Sequence, residues 1–392
     1  MKEVVIIDGA RTAFGSFGGS LKGVSALDLG TAAAKGALEK AAVSPDQINH
    51  TVMGNALQTS NDALYGARHV ALKAGVPVDR PALTVNRICG SGLQAIVYAA
   101  QLIQLDEADF CLAGGMENMS QAPHVIHGAR WGLALGQGKM DDLLWECLND
   151  TYCDTSMAMT AENLAQKYDV SREDSDKYAL RSQQSAARAQ KEGWFAEEIT
   201  PVEVKTRKGM LSVDTDEHIR PDASLEKMAK LRTVFKKDGV VTAGNASGIC
   251  DGAAVVIVAS REAAEKHDLK ILGTLKSHAV AGVDPTIMGI GPAPAIRTAA
   301  EKAGVGIEDF ETIEVNEAFA AQVVSVEREL GLNRDKLNPN GGGVSLGHPL
   351  GASGARLALT LLYHMRRNYQ KLGVASLCIG GGQGIAAVFG RE

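Results

Sequence analysis

The sequence predicts a layered α/β protein made of two related halves with a third segment inserted between them. Three observations predict this fold. Helical and strand-like stretches alternate at both ends of the chain, the two ends match each other at a constant offset, and residues 119–248 match neither. The chain has 392 residues, which is enough for two or three domains. Alternating helices and strands are typical of a mainly parallel sheet covered by helices.

The two halves align at an offset of 262 residues. Residues 39–43 (EKAAV) resemble residues 301–305 (EKAGV), and the Gly-Ser-Gly turn at 90–92 falls on the Ala-Ser-Gly turn at 352–354. Two matches at the same offset, supported by a third at 52–57, indicate a duplicated α/β unit rather than chance similarity.

An apolar helical run follows each of these turns. Residues 93–103 are apolar nearly all round, which is typical of a helix buried between layers. Each half then continues into a strand-like segment that ends in glycines, at 110–115 and at 375–382, the second a few residues later than the offset requires. Two units that share buried helices predict a layered sandwich.

The segment between the halves is predicted to be an inserted domain. It contains all three tryptophans and a charged helical stretch at 171–191, where Ser171 and Asp174 have the spacing of a capping box. The predicted division is residues 1–118 completed by about 249–268, the insert 119–248, and residues 269–392.

Composition excludes several classes of protein. A net charge of −6 argues against a general nucleic-acid binder. The six cysteines contain no CxxC pair and are too sparse for a disulfide scaffold, which predicts a reducing compartment. The first residues resemble a strand rather than a signal peptide, and no apolar run reaches the roughly 20 residues that span a bilayer. We expect a cytoplasmic protein, with the mitochondrial matrix as the alternative.

Cys89 is the first candidate for chemistry. It lies in the motif NRICGSG, at a strand-to-helix turn, where the helix N-terminus is expected to stabilise a thiolate. The alternative is a buried, unreactive cysteine in a tight turn.

Three further motifs complete the candidate site. His348, in GHPLGASG, lies opposite Cys89 in the repeat and could take its proton, although a lone histidine often only caps a turn. Cys378, in CIGGGQG, could transfer a proton beside bare backbone N–H groups, or could be buried in a glycine-rich turn. Asn316, in VNEAFA, could position a water or a carbonyl oxygen, or could form an ordinary corner.

Together these motifs resemble the thiolase family. CGSG, NEAF, GHPLGASG and CIGGGQG occur in the family's order and spacing, and the resemblance covers essentially the whole chain. It implies a five-layer αβαβα sandwich with an inserted loop domain. The implied reaction is the reversible Claisen condensation of two acetyl-CoA to acetoacetyl-CoA and CoA, or the thiolysis of a 3-ketoacyl-CoA, through an S-acyl-cysteine.

The resemblance also implies residue roles. Cys89 would carry the acyl group, and His348 would activate it and stabilise the enolate oxygen. Asn316 would hold a water in that same oxyanion hole, and Cys378 would move a proton at C2 of acetyl-CoA. The N–H groups of Cys89 and Gly380 would form a second oxyanion hole over the thioester.

Coenzyme A would be substrate and product, and the family uses no metal or other cofactor. Arg220 would lie near the adenine and Ser247 along the pantetheine. The substrate channel would be lined by Met157, Phe235, Met288 and Phe319. A homotetramer built from two dimers is also implied.

One position departs from the biosynthetic acetoacetyl-CoA thiolases, which carry a histidine where this chain has Ser156. That stretch looks more like the mitochondrial-type 3-ketoacyl-CoA thiolases, so chain length stays open. Three other classes of protein fit the sequence less well. A ketoacyl synthase would need two histidines, and a non-catalytic CoA- or lipid-binding relative should have lost a catalytic residue. A metal-binding protein would need ligand partners that Cys147 and Cys153 lack.

Overall fold

The computed structural model of the chain describes residues 2–391, and within them the sequence forms sixteen strands and twelve α-helices. The strands are β1 (Val4–Arg11), β2 (Gly15–Ser16), β3 (His50–Gly54), β4 (Ala82–Val85), β5 (Phe110–Asn118), β6 (His124–Ile126), β7 (Met140–Asp142), β8 (Asn149–Asp150), β9 (Thr155–Ser156), β10 (Val202–Thr206), β11 (Gly209–Val213), β12 (Cys250–Ser260), β13 (Gly273–Gly282), β14 (Thr312–Val315), β15 (Leu372–Ile379) and β16 (Gln383–Gly390). The helices are α1 (Ala26–Ala41), α2 (Gly66–Lys73), α3 (Ser91–Gln104), α4 (Leu143–Cys147), α5 (Met157–Lys167), α6 (Arg172–Lys191), α7 (Leu225–Ala229), α8 (Arg261–Lys266), α9 (Pro292–Ala303), α10 (Ala320–Leu330), α11 (Gly343–Leu346) and α12 (Leu350–Arg367). None of these helices has the length and apolarity needed to cross a membrane.

Ten strands form one sheet to which each half of the chain contributes one end. Its order is β14-β15-β16-β13-β1-β12-β5-β3-β4, with β2 beside β12. The halves meet at β1 and β13, which pair over only two positions.

The expected mainly parallel sheet is wrong. Only the pairs β3–β4, β3–β5 and β14–β15 are parallel, and the other six pairs of the sheet are antiparallel. One of these six pairs, β15–β16, is antiparallel because β16 follows β15 directly, and the other five join segments far apart in the chain. The turn at 380–382, with positive φ at Gly381 and Gly382, sends β16 straight back along β15.

Three apolar cores separate five layers, which confirms the layered sandwich. One core lies between α1, α2 and the N-terminal end of the sheet, one surrounds α3 and α12 between the halves, and one lies under α9 and α10. Alternate residues of β1 serve two of them: Val5 and Ile7 join the first core, and Val4 and Ile6 join the central one. Each such side chain contributes roughly 1.5–3 kcal/mol when buried.

The element bounds follow the duplication closely. β15 begins at Leu372, 262 residues after β5 begins at Phe110 (372 − 110), and α9 ends 262 residues after α1 (303 − 41). The glycines at 380–382 predicted that the second strand lies a few residues later than the offset requires. That prediction is wrong, because these glycines form the turn after β15.

The segment 119–248 supplies no strand to the ten-stranded sheet. It forms three two-stranded sheets, β6–β7, β8–β9 and β10–β11, together with α4 to α7. The charged helix is present as α6, and the side chains of Ser171 and Asp174 form the expected capping box at its start.

The two central helices touch through glycines. A Cβ on Gly354 of α12 would lie 2.2 Å from the backbone nitrogen of Leu93 in α3, and a Cβ on Gly92 would lie 2.7 Å from the Gly351 carbonyl oxygen. This contact matters for function because both candidate loops, around Cys89 and His348, lead directly into these helices.

Replacing Gly354 by alanine is expected to lower the free energy of unfolding by about 2 kcal/mol. The new methyl meets backbone, which cannot rotate away, and this clash outweighs the roughly 1 kcal/mol by which alanine favours a helix. Urea denaturation measures the change. Gly23→Ala is the control, because a Cβ there meets nothing within 4 Å, and equal stability of the two variants would contradict the prediction.

Candidate active site

Cys89 lies in a strained turn that other side chains hold in place. The 3-10 turn Ile88–Gly90 runs directly into α3, and Ile88 has a φ of 47°, which is costly for a β-branched residue. Asn86 Oδ1 accepts the Ile88 N–H at 2.9 Å, and the Ser91 hydroxyl donates to the Ile88 carbonyl at 2.7 Å. The geometry of the turn is therefore set before any substrate binds.

The end of β15 lies against this turn. The Gly380 N–H donates a hydrogen bond to the Cys89 sulfur, and the fully buried Cys378 is close enough for Cys89 to perturb its ionisation. Arg87 Nη1 donates to Gln383 Oε1 at 2.9 Å, which ties the two turns together. Cys89, Cys378 and Gly380, predicted from separate motifs, are thus brought together.

Both thiols resist ionisation. Burial raises the pKa of Cys89 to about 12, and the hydrogen bonds from Gly380 and from its own N–H oppose this only in part. The expectation that the helix N-terminus stabilises a resting thiolate is therefore wrong. Burial also raises the pKa of Cys378, and the neighbouring Cys89 raises it further. Both groups are thiols near pH 7, so a base must take the proton during attack.

His348 has the form that such a base needs. Its ring is buried, and this burial, with a smaller contribution from the positive charge of Arg356, lowers its pKa to about 3. The Ser353 hydroxyl donates its one hydrogen to the Pro349 carbonyl at 2.8 Å, and its oxygen lies 2.5 Å from His348 Nδ1. Nδ1 must then carry the proton, so Nε2 is unprotonated and its lone pair accepts a hydrogen bond from Asn316 Nδ2 at 3.2 Å.

Replacing Ser353 by alanine is expected to lower kcat about tenfold or more. The hydroxyl that selects the tautomer is lost, and the neutral ring can then place its hydrogen on Nε2, where it cannot accept a proton. Steady-state kinetics measures this change. The matched control is Ser325→Ala, because Ser325 is also a buried helical serine that donates to the carbonyl four residues earlier. Equal kcat in both variants would refute the assignment.

Asn316 stands where β14 ends. Its N–H donates to the Ser376 carbonyl at 2.8 Å, so the position is fixed against β15, and its side chain is fully buried. Oδ1 of Asn316 accepts no hydrogen bond from any residue in the range 2–391. Buried polar atoms are normally satisfied, so this oxygen is suited to a donor from substrate or water.

An apolar pocket of about 200 Å³ opens beside these groups. His348 lies in its wall, and four other predicted residues line it as well: Met157, Phe235, Ser247 and Phe319.

Met288 does not line this pocket but packs with Cys378, Ala318, Met157 and Phe319 in one small cluster. Cys89 packs against a second cluster that includes Leu350 and Met119, which also line the pocket.

Arg220, like Met288, does not line this pocket. It is exposed, its N–H donates to Gln183 Oε1, and its Nη1 donates to the Glu217 carbonyl. Its neighbour His218 packs against Gly248, which does line the pocket, so Arg220 lies on the segment behind that wall.

Several pocket and support residues escaped the sequence analysis. The ring of Trp145 stacks on that of Phe235 at 6.4 Å and lines the pocket, and the carboxylate of Glu117 bridges two loops near Cys89. Motifs indicate reactive residues, but they do not indicate residues such as these, which line a pocket or hold loops in place. The acidic residue at the glycine-rich end of strand β5 was the available signal for Glu117.

Within the described range 2–391, no group of three or more His, Cys, Asp or Glu side chains is placed to hold a metal ion.

Comparison with known proteins identifies the family. Residues 4–262 match the model of the thiolase N-terminal domain, and residues 269–391 match that of the thiolase C-terminal domain. The chain is 51% identical over 389 residues to human mitochondrial 3-ketoacyl-CoA thiolase, covering 99% of this chain and 98% of that protein. It is 49% identical over 391 residues to an acetyl-CoA acetyltransferase of Chromobacterium violaceum, covering 99% and 100%.

A solved structure agrees with these matches. The crystal structure of human mitochondrial 3-ketoacyl-CoA thiolase in complex with CoA superposes with a TM-score of 0.97 at 50% identity, covering 100% of this chain and 98% of that one. Two family models that together span nearly all of the sequence, and relatives of about 50% identity along its whole length, lead to one conclusion: this chain belongs to the thiolase family.

Proposed function

We propose that this thiolase catalyses two directions of one reaction through an acyl-Cys89 intermediate. It condenses two acetyl-CoA to acetoacetyl-CoA and CoA, and it cleaves 3-ketoacyl-CoA with CoA. The observation that carries this proposal is the convergence of the half-buried Cys89 thiol, the buried Cys378 thiol, a neutral histidine with an unprotonated Nε2, and a buried asparagine beside an apolar pocket.

In the cleavage direction, Cys89 Sγ attacks the C3 carbonyl while its proton passes to His348 Nε2. The C2–C3 bond breaks, and its electron pair leaves as the enolate of acetyl-CoA. Protonated His348 and a water on Asn316 stabilise that enolate oxygen, and the Cys378 thiol protonates C2. The product acetyl-CoA then departs and leaves the acyl group on Cys89.

The second half of the cycle releases the acyl group. The thiol of CoA attacks the thioester and its proton passes to the Cys378 thiolate left by the first half of the cycle, while the tetrahedral oxyanion is held by the N–H groups of Cys89 and Gly380. The Gly380 N–H already donates to the Cys89 sulfur, so it is oriented toward the reacting centre. Collapse of the oxyanion breaks the C–S bond to Cys89 and gives acyl-CoA, and the Cys89 sulfur takes back its proton from His348.

CoA is the common part of every substrate and product. We propose that residues 119–248 form a domain that binds it, between core halves at 1–118 with about 249–268 and at 269–392. Met157, Phe235, Met288 and Phe319 would line its channel, Ser247 would lie along the pantetheine and Arg220 near the adenine. The apolar lining of the pocket suits a thioester chain, and the human relative has been solved with CoA.

The test is thiolysis by the purified protein, comparing acetoacetyl-CoA with 3-ketohexanoyl- to 3-ketodecanoyl-CoA. Ser156, a small residue in the pocket wall, favours a channel that accepts longer chains. Activity on acetoacetyl-CoA alone would restrict the enzyme to acetyl transfer. No cleavage of any of these substrates would overturn the proposed function.

We also propose a homotetramer. The loop between β6 and β7 exposes Trp131 (86%), Leu133 (46%) and Leu135 (fully exposed), an apolar surface that a second copy would cover. Sedimentation velocity is expected to show four copies, and the double change Trp131→Ser and Leu135→Ser is expected to reduce the assembly. The control is Tyr369→Ser, an exposed aromatic outside this loop. A monomeric wild type would refute the proposal.

All six cysteines are free, which is typical of a reducing compartment. We propose the cytoplasm, with the mitochondrial matrix as the alternative outcome of cell fractionation, because the human relative is named as mitochondrial.

A further inference from the structure

We propose that Glu117 is a positioning residue that sets the separation between the Cys89 turn and the His348 loop. The inference rests on the proposed function, because it assigns Glu117 to the geometry of that reaction. Glu117 lies near the end of β5 and is fully buried, and its position in the sheet places it between the two halves of the site.

Its carboxylate accepts four hydrogen bonds from two separate segments. Oε1 accepts from Asn55 Nδ2 at 2.7 Å and from the Leu57 N–H at 3.0 Å. Oε2 accepts from the Ala56 N–H at 3.0 Å and from the Gly351 N–H at 2.8 Å. One side chain therefore joins the loop 55–57 of the N-terminal half to the first turn of α12 in the C-terminal half.

On the N-terminal side, the contacts lead to Cys89. The Ala56 carbonyl accepts from Asn86 Nδ2 at 3.2 Å, and Asn86 Oδ1 in turn holds the strained Ile88 that precedes Cys89. Leu57 belongs to the apolar cluster on which Cys89 packs. A shift of this loop would move the nucleophile.

On the C-terminal side, the contact leads to His348. Gly351 lies three residues after His348 and two before Ser353, which fixes the imidazole tautomer. Gly351 is held from the other side as well, because a Cβ on Gly115 would lie 1.8 Å from its carbonyl oxygen. The Glu117 bond thus fixes this backbone at the point where the halves touch.

The chemistry of the four partners requires a carboxylate. All four are N–H donors, and an ionised carboxylate offers acceptors only, whereas an amide would turn its own N–H groups toward two of them. Burial raises the pKa of Glu117 to about 7, so the ionised form is costly, and its charge raises the pKa of Cys89. A charge that opposes thiolate formation does not activate the nucleophile, so its contribution to catalysis is geometric.

The test compares Glu117→Gln with Glu198→Gln, another buried glutamate, whose partners Arg11 and Thr360 belong to neither loop. Thiolysis of acetoacetyl-CoA is measured together with iodoacetamide labelling of Cys89 against pH. For Glu117→Gln we expect kcat to fall at least tenfold, KM for CoA to stay within twofold, and the labelling midpoint to move to lower pH. For Glu198→Gln we do not expect a lower kcat, an unchanged KM and a lower labelling midpoint to occur together.

Glu117→Asp keeps the charge but is one methylene too short to reach both loops, so an intermediate kcat is expected. If Glu117→Gln does not fold, the kcat of Glu117→Asp tests the inference instead. A kcat within twofold of wild type in the folded Glu117 variant, or an equal loss in Glu198→Gln, would overturn the inference. A wild type that cleaves no 3-ketoacyl-CoA would instead defeat the proposed function. The positioning role is then tested by the rate of Cys89 labelling at fixed pH in Glu117→Asp, which keeps the charge but not the reach, and a rate equal to that of the wild type would overturn it.

Discussion

Replacing Cys89 by alanine is expected to lower kcat for thiolysis by at least about 10⁴-fold. The other cysteines near the site are less suited to form the acyl-enzyme, because Cys378 is fully buried at the end of β15 and Cys147, on α4, donates its thiol hydrogen to the Leu144 carbonyl at 3.0 Å. Removing a nucleophile that acts with its base typically costs this much or more. Steady-state thiolysis of acetoacetyl-CoA measures the loss, and full activity in the variant would end the acyl-cysteine mechanism.

The same variant separates chemistry from folding. Incubation with acetyl-CoA followed by mass spectrometry should show an acetyl group on the wild type and none on Cys89→Ala. The control is Cys153→Ala, a change at a half-buried cysteine that does not line the pocket, and it should retain both acetylation and turnover. An acetyl adduct elsewhere on Cys89→Ala would transfer the nucleophile role to the residue that carries it.

The sequence predicted the layered fold well where residues repeat. The offset of 262 residues located the equivalent strands β5 and β15, and the buried helix after Gly-Ser-Gly is present as α3. The four motifs were informative because each one places a reactive side chain at the end of a strand or the start of a helix. Such positions meet at one edge of a duplicated fold.

Other features depend on long-range contacts and could not be predicted. Strand direction depends on which segments pair, and the pairing of β12 with β1 and β5 joins parts of the chain more than a hundred residues apart. The high pKa of Cys89 depends on burial by distant segments, which outweighs the local effect of the helix N-terminus. The roles of Glu117 and Ser353 become visible only through their hydrogen-bond partners.

Replacing Cys378 by alanine is expected to separate the two half-reactions. Cys89 should still accept an acetyl group from acetyl-CoA, because its attack uses His348 as base. Condensation should fall by about 10³-fold, because no group then removes the proton from C2 of the second acetyl-CoA, and a positioned acid–base group typically contributes 10²–10⁴. Burst-phase release of CoA, followed by steady-state condensation, measures the two steps separately.

Cys111→Ala provides the matched control for this experiment. Cys111 is also fully buried on a strand of the same sheet, but its sulfur faces the Ala99 carbonyl rather than the site. The loss of a buried thiol is the same in both variants, so only the loss of proton transfer distinguishes them. Slow condensation in both would assign the effect to packing. An acyl adduct trapped on Cys378 of the wild type would reverse the roles of the two thiols, because the residue that carries the acyl group cannot at the same time move the C2 proton.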